Sequence, residues 1–510
     1  METYSYHIFY FPFRWSLPTD EGKLFSEQVD LKRIPISKYT MWERTQLDDE
    51  SQPHYHNEQE LKEARELFGE RQYYFDFVHP VLYDIKGCVN PLINHYERRE
   101  PKTGHTEYLI QVSNKTYRLR LEALNLNLYS TGVGILSFYT ANEEESQKDE
   151  ESIRDINQFG RRIMPPHSGE FDPDNRNMIA VAIQIRGLRG DDDRYYDCFD
   201  YKEQAHGNER GLTTVWEPAR FIVNLIQDLS PELKVVPAID DRMLVNCWYG
   251  NDELSALVKE QGENEKSKFI NGDFWYKYVF VDHGNSLKDE TCQNKSMKED
   301  LLKKSTYFRW QNQGTIFGVS RYSLVALTDK QWFAENILAM HMRTIYSRMF
   351  ELIIIQRASM LRFSGEVTKV SSLTGANNKE VAKRIGSLYK EYIRFVNQVY
   401  FRSVTVQDQG IELYEMLMNQ FASNEQIKDL DGEIGELYQY ITLMVDQNRN
   451  ENGEKLNILA AVFLPATLLT GIFGMNKISE LECTGGFWVH LVIIVIVSVI
   501  AYRIIKKWGE

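Results

Sequence analysis

Five cysteines are scattered through 510 residues, at Cys88, Cys198, Cys247, Cys292 and Cys483, and no two stand in a CxxC spacing. That excludes a zinc ribbon and a disulfide framework as organising devices and fits a reducing compartment. Positive charge is in deficit, with 59 Lys and Arg against 73 Asp and Glu and a formal net charge of −14. A surface that coats nucleic acid is therefore not expected, and no direct nucleic-acid partner is. The chain also lacks a Walker loop, a GxSxG elbow, an HExxH pair and a GxGxxG set on a strand, so catalysis is not indicated and no enzyme is expected. Its nearest glycine cluster, Thr131-Gly132-Val133-Gly134, precedes an apolar run and reads as a hairpin turn. The beginning, METYSYHIFYFPFRW, has no basic segment followed by an apolar stretch and a small-residue cleavage site, so no signal peptide is expected.

Long hydrophobic runs are confined to the C-terminal end. Residues 456–475 (LNILAAVFLPATLLTGIFGM) carry no charge, and residues 487–505 are apolar apart from Trp, His, Ser, Tyr and one Arg near the end. Each approaches the ~20 residues that cross ~30 Å of hydrocarbon as a helix. Arg503, Lys506 and Lys507 follow the second run, whereas the loop 476–486 holds only Lys477 against Glu480 and Glu482. The positive-inside rule then places both termini, with the tail 506–510, in the cytoplasm and the loop outside. A multi-pass protein of the cell membrane is expected, with the lipid bilayer as a partner.

Ahead of the first run, Ile427, Leu430, Ile434, Leu437, Ile441 and Met444 alternate spacings of three and four, a heptad seam. With no proline before Pro465, a stalk over 425–455 continues into the run as one helix. Gly432, Gly435 and Gly453 each weaken such a helix by ~1 kcal/mol relative to Ala, which packing must offset. Two spans cannot enclose an aqueous path alone, so the seam reads either as the axis of a symmetric oligomer or as packing within the chain.

Phe473-Gly474-Met475-Asn476 ends the first run, Glu480-Leu481 follows, and Gly485-Gly486-Phe487 opens the second. The tripeptide GMN at this place, after VFLPATLLTGIFGMN and before a short loop and one last basic-ended span, resembles the signature of CorA-like magnesium transporters. The chemistry is consistent with that. Mg²⁺ keeps its waters, and a ring of Asn476 amides accepts hydrogen bonds from them without trapping the ion as carboxylates would. Gly474 lets the backbone turn there, and a helix C-cap is the other role open to Asn476. Carried over by position, the resemblance implies a pore lined by Thr467, Leu464, Leu456 and Asn450 below Gly474, Met475 and Asn476. Thr467 adds a hydroxyl ring, Leu464 and Leu456 apolar constrictions. Asn457, beside one constriction, is expected at the axis or between helices. Two features depart from the pattern: Gly453 stands where relatives are commonly apolar, and KISEL replaces a longer loop ending MPEL. The permeant ion, Mg²⁺ or another divalent cation, is not inherited from the resemblance.

Residues 1–330 read as an α/β domain, with strands at 6–11, 107–112, 117–129, 133–138, 243–249, 275–281 and 316–327. An acidic linker, 141–152, precedes a helix carrying Ile153, Ile156 and Phe159, stopped by Pro165-Pro166. Residues 331–424 read as helical, with 350–356 (FELIIIQ) too short to span a membrane and expected buried, then helices at 379–402 and 409–422. The fold class is an α+β cytoplasmic domain, a long helical stalk and two C-terminal transmembrane helices; the resemblance implies a homopentamer.

Arginines stand beside aromatic residues or glycine at Arg14-Trp15, Arg161-Arg162 and Arg321-Tyr322, with Arg118 and Arg120 on one strand face. They suit phosphate and base recognition, or surface ion pairs. The stretches HIFYFPFRW, QFGRR, STGVGILSF and GTIFGVSRYSLVALT look like the CorA-like subgroup encoded beside type III CRISPR systems. That resemblance implies an antiviral channel opened by a nucleotide second messenger, a conjugate of S-adenosylmethionine and AMP. Arg161 and Arg162 are the first candidates for its phosphate. Two other functions stay open. One is a housekeeping Mg²⁺ transporter gated by its ion, with Asp429, Asp431, Glu433 and Glu436 as intersubunit ligands or a solvated face. The other is a membrane-anchored nucleotide receptor without a pore.

Overall fold

The computed structural model describes residues 2–18, 24–48, 58–98, 106–162, 179–188, 192–198, 218–263, 273–282, 292–371, 378–475 and scattered positions between 488 and 503. The chain divides into two compact units, residues 1–369 with 387–433 and residues 370–386 with 434–510. Helices beyond residue 330 belong to the first unit.

That unit is built on one sheet of thirteen strands among the described residues: β1 (Ser5–Ser16), β2 (Trp42–Arg44), β3 (Ile93–Arg98), β4 (Glu107–Val112), β5 (Lys115–Tyr129), β6 (Val133–Asn142), β7 (Ala182–Arg186), β8 (Tyr196–Cys198), β9 (Lys234–Pro237), β10 (Leu244–Gly250), β11 (Thr306–Tyr307), β12 (Ile316–Val319) and β13 (Ser323–Thr328). The main order is β11-β12-β13-β10-β1-β6-β5-β4-β7-β8; β3 joins β5, β2 joins β3, and β9 joins β1. Only β10 and β13 pair in parallel.

β1 is central because nearly every one of its residues is apolar or aromatic, and a strand covered on both faces reads as such a run. Pro12 survives there because β10 pairs only up to Tyr10 and β9 begins opposite Phe13. The Pro12 carbonyl accepts from Ala238 N at 3.0 Å, so its missing N–H faces the gap between those partners.

Helix α1 (Glu58–Tyr73) and the long α5 (Ile345–Ser371) meet one face of the sheet; α2 (Glu150–Phe159), α3 (Arg220–Leu229) and α4 (Asp273–Phe280) meet the other. Within the first unit α5 is held by buried polar bonds. Tyr10 Oη and Ser347 Oγ are 2.7 Å apart, Tyr129 Oη donates to Glu351 Oε1 at 3.1 Å, and Arg362 Nη1 donates to the Trp15 carbonyl at 2.8 Å and to that of Gly132. Gly132 forms the β5–β6 turn with φ +74°, and a Cβ there would strike the Arg362 guanidinium. Residues 350–356 are buried throughout.

Several elements differ from the sequence-based expectation. Segment 275–280 is helical: Trp275 to Val279 are all buried, so no helical period shows and the aromatic and β-branched content read as a strand. Segment 316–327 is a hairpin, β12 and β13, closed by Ser320 N to the Ser323 carbonyl at 2.9 Å. Segment 141–152 is no linker, since β6 runs to Asn142, Gln147 is buried, and Asp149 caps α2 by accepting from Ser152 N at 2.9 Å.

Helices α6 (Asn378–Gln398), α7 (Asp408–Gln420) and α8 (Ser423–Met475) follow. α8 is continuous, as expected, but its seam turns toward its own chain. Ile427, Leu430, Ile434 and Ile441 are buried within the single chain, while Leu437 and Met444 are half-buried. A Cβ added at Gly432, Gly435 or Gly453 would meet nothing within 4 Å, so the compensating packing expected there is absent from the single chain. Among the described residues no helix is long and apolar enough to cross a membrane. The loop 476–486 lies outside the described residues, and 487–505 is described only at scattered positions.

Under α2, His7 is wholly buried: its Nδ1 donates to Asn157 Oδ1 at 2.7 Å, and Nε2 lies 2.8 Å from Ser5 Oγ. Burial pulls its pKa down to about 4, against a weaker opposing effect of Asn157. The unfolded chain then binds the extra proton first, so stability is full above about pH 6.5 and falls by roughly 3 kcal/mol toward pH 4. Thermal midpoints of the purified protein should decline through that window, and His7→Gln should flatten the decline; an unaltered slope would show that other groups set it.

Candidate functional site

Arg161 and Arg162 leave the end of α2 through Gly160, where a Cβ would meet the Phe9 ring and the Ile156 carbonyl within 2.6 Å. Met243 N donates to the Arg161 carbonyl at 3.1 Å and Ala180 N to that of Arg162 at 2.9 Å, so both backbones are fixed. The two side chains then differ. Arg162 forms a forked pair with Asp241, Nε to Oδ2 at 3.0 Å and Nη2 to Oδ1 at 2.9 Å, both groups buried. Burial disfavours charge on each, lowering Arg162 and raising Asp241, and each partner opposes the effect on the other.

Arg161 is 5 % exposed. Its Nη2 donates to Gln158 Oε1 at 3.3 Å and to the Val281 carbonyl at 3.2 Å. Nε and Nη1 have no hydrogen-bond partner among the described residues. Burial first, then the charges of Arg242 and Arg162, pull its pKa down to about 9 against the attraction of Asp240, which leaves it charged at neutral pH. Two guanidiniums lie over the Tyr322 ring, Arg161 at 5.4 Å and Arg242 at 4.8 Å from its centre. Arg242 is tied to Asp240, its Nε donating to Oδ2 at 2.7 Å. Val281, whose carbonyl serves Arg161, has φ +49°, which costs a β-branched residue on the order of 1–2 kcal/mol.

Arg161, Arg162 and Asp241 line a narrow recess of about 10 Å³, room for roughly one water, with Ile183 and Met243 as apolar wall. The remaining lining, Ala219, Phe221 and Ile222, is the first turn of α3, and Ala219 supplies no side-chain cap. The partial positive charge of that helix end is already answered within the chain, because the buried Asp197 carboxylate accepts from Arg220 N.

The sequence singled out Arg161 and Arg162 as equals; the structure separates them. It also adds Asp240, Asp241, Arg242 and Tyr322. The consecutive Asp-Asp-Arg and the Tyr322 beside Arg321 were the available signals. Arg321 itself turns away, its Nε donating to the Gln420 carbonyl at 3.0 Å, and Arg120 is paired with Glu122 and Glu143 at 2.7 Å.

The expected pore residues lie on α8 in the second unit. Asn450, Leu456, Asn457, Leu464 and Thr467 are all exposed, and Thr467 Oγ1 donates to the Leu464 carbonyl at 2.9 Å. Asn450, Asn457 and Leu464 recur every seven residues on one face, whereas Leu456 is about 100° round the helix from Asn457, so the two cannot face one axis alike. The helix ends with Gly474 and Met475; Asn476 lies outside the described residues. The acidic residues Asp429, Asp431, Glu433 and Glu436 are exposed, and among the described residues no three His, Cys, Asp or Glu are grouped to hold a metal ion.

Residues 326–507 match the model of a family described as CorA-like Mg2+ transporter protein. The match starts inside β13 and runs through α5 to α8 and beyond, leaving the Arg161 recess outside it. It supports the CorA-like superfamily, and the α+β unit followed by long helices fits that plan. No curated protein and no solved structure matches the chain.

Arg162→Met leaves Asp241 buried without its partner and should destabilise the protein by about 3–5 kcal/mol. Chemical denaturation measures this; unchanged stability would mean that the pair is solvated in solution.

Proposed function

We propose that the chain is a CorA-like membrane ion channel, permeable to Mg²⁺ or another divalent cation and opened by a nucleotide second messenger. The observation that carries the reading is α8. It is one helix from Ser423 to Met475, its last twenty residues carry no charge, and it runs into GMN inside the matched region. Leu456, Leu459, Phe463 and Leu464, more than half exposed, fall within an arc of about 140° of the helix, and an exposed apolar face of that width calls for lipid or for further helices. The membrane spans at 456–475 and 487–505 and the cytoplasmic termini rest on the sequence.

Two spans per chain require a homo-oligomer, a pentamer by resemblance. In this reading the face of Asn450, Asn457 and Leu464 lies at the axis. Asn476 contacts the ion through its hydration shell. The messenger, in this reading the conjugate of S-adenosylmethionine and AMP, docks on the α+β unit through Arg161, and opening collapses ion gradients as an antiviral response of type III CRISPR defence. The observation favouring a ligand over gating by the ion itself is the buried guanidinium with donors to spare. The reading assigns no catalytic role.

In proteoliposomes loaded with a Mg²⁺ indicator, Asn476→Ala and Asn476→Asp should each change flux or selectivity while assembly persists. Equal flux in both variants and the wild type would remove Asn476 from the pore. Native mass spectrometry in mild detergent should give a pentamer; a monomer or dimer would contradict the channel.

A further inference from the structure

We propose that Glu97, His95, Asn127 and Glu351 share one bound proton, which makes the tie between the sheet and α5 sensitive to pH. The tie lies wholly within the first unit and holds whether or not the chain conducts ions. His95 on β3 stands opposite Asn127 on β5, and Glu97, two residues along β3, shares its face. His95 Nδ1 lies 2.5 Å from Asn127 Oδ1 and its Nε2 3.1 Å from Glu97 Oε1, while Asn127 Nδ2 donates to Glu351 Oε1 on α5. His95, Asn127 and Glu351 are buried; Glu97, with 41 % of its side chain exposed, is the end that reaches solvent.

A count of hydrogens requires the proton. Three hydrogen bonds run from one carboxylate to another, and an ionised carboxylate only accepts. Between the two ends a neutral imidazole and an amide each supply one donor and one acceptor, which makes two hydrogens for three bonds. Reversing the Asn127 amide or changing the His95 tautomer moves the gap to another bond without filling it. One added proton completes the chain, on the imidazole with the amide as it stands or on Glu351 with the amide reversed, so it belongs to the four groups jointly. Glu43 on β2 stands opposite Glu97, a like charge that favours the proton. The nearby cations are shared with other carboxylates. Arg44 forks onto Asp84, which also accepts from His95 N at 3.1 Å. Arg348 on α5 lies 3.7 Å from Glu351 Oε2, and its Nε donates to Glu70 on α1 at 3.4 Å. Tyr129 donates to Glu351, Tyr83 donates to Glu70, and Arg71 acts on Tyr83.

The unfolded chain has no such arrangement and holds no such proton above the ordinary imidazole range near ~6.5. The folded chain then binds more protons, so this contribution to stability is present at low pH and is lost as pH rises, opposite in sign to that of His7. The test is chemical denaturation of the full-length protein in detergent between about pH 6 and about pH 9. The unfolding constant of the wild type should rise by up to about tenfold per pH unit relative to Glu97→Gln, whose amide supplies the missing hydrogen. Relief of the Glu43 repulsion in that variant would shift its stability at every pH without changing the slope. Glu351→Gln fills the same gap from the other end, touching neither His95 nor Glu97, and should flatten the slope equally. Equal slopes in the wild type and Glu97→Gln would overturn the bound proton. A full wild-type slope retained in Glu351→Gln would confine the proton to the Glu97–His95 pair and overturn the tie to α5.

Discussion

A guanidinium buried without enough partners is the constraint around which the α+β unit is arranged. Taking such a group out of water costs several kcal/mol, and Arg161 recovers only part of it through Gln158 and the Val281 carbonyl. Its surroundings hold it in place nonetheless. Gly160 admits the tight exit from α2, Met243 N fixes the Arg161 backbone, and Val281 takes a left-handed conformation at the end of α4 that presents its carbonyl. Asp240 and Asp241 are each occupied by a different arginine rather than by Arg161. An apolar side chain would be cheaper at this position.

The recess is also well placed to be heard by the helices. Tyr322, against which Arg161 and Arg242 pack, immediately precedes β13, and the Tyr322 carbonyl accepts from Val245 N on β10 at 2.9 Å. β13 leads to α5, which is locked to the sheet through Ser347, Glu351 and Arg362. A shift at Tyr322 therefore meets packed, hydrogen-bonded structure within the first unit. Under the proposal, moving a pore from ~1 % to ~99 % open needs ~5.5 kcal/mol of differential binding. Spread over several subunits of a homo-oligomer, that asks little of each recess.

Much of this was legible in the sequence, and the failures have physical causes. β4 has the expected bounds, β1 and β6 extend the expected runs, β10 is shifted by one residue, and α2 buries Ile153, Ile156 and Phe159 as their spacing requires. Local periodicity carried those elements. The stretch Trp275 to Phe280 failed because a short helix buried on nearly all sides has no period to betray it. The short strands β2, β8 and β11 gave too few residues for alternation to register. At the site, adjacency of Arg161 and Arg162 was visible, but their inequality was not, since it depends on Asp241 seventy-nine residues away. The seam of α8 was read as apolar and left open between two partners; only the fold could show that its own chain covers Ile427, Leu430, Ile434 and Ile441.

The most direct measurement is ion flux from proteoliposomes containing the full-length protein, before and after adding the conjugate of S-adenosylmethionine and AMP on the side of the α+β unit, at constant Mg²⁺. The account predicts a closed pore that opens on addition, with a response that Arg161→Met eliminates. Flux that follows the Mg²⁺ concentration and ignores the conjugate would contradict it, and would make the chain a transporter gated by its own ion.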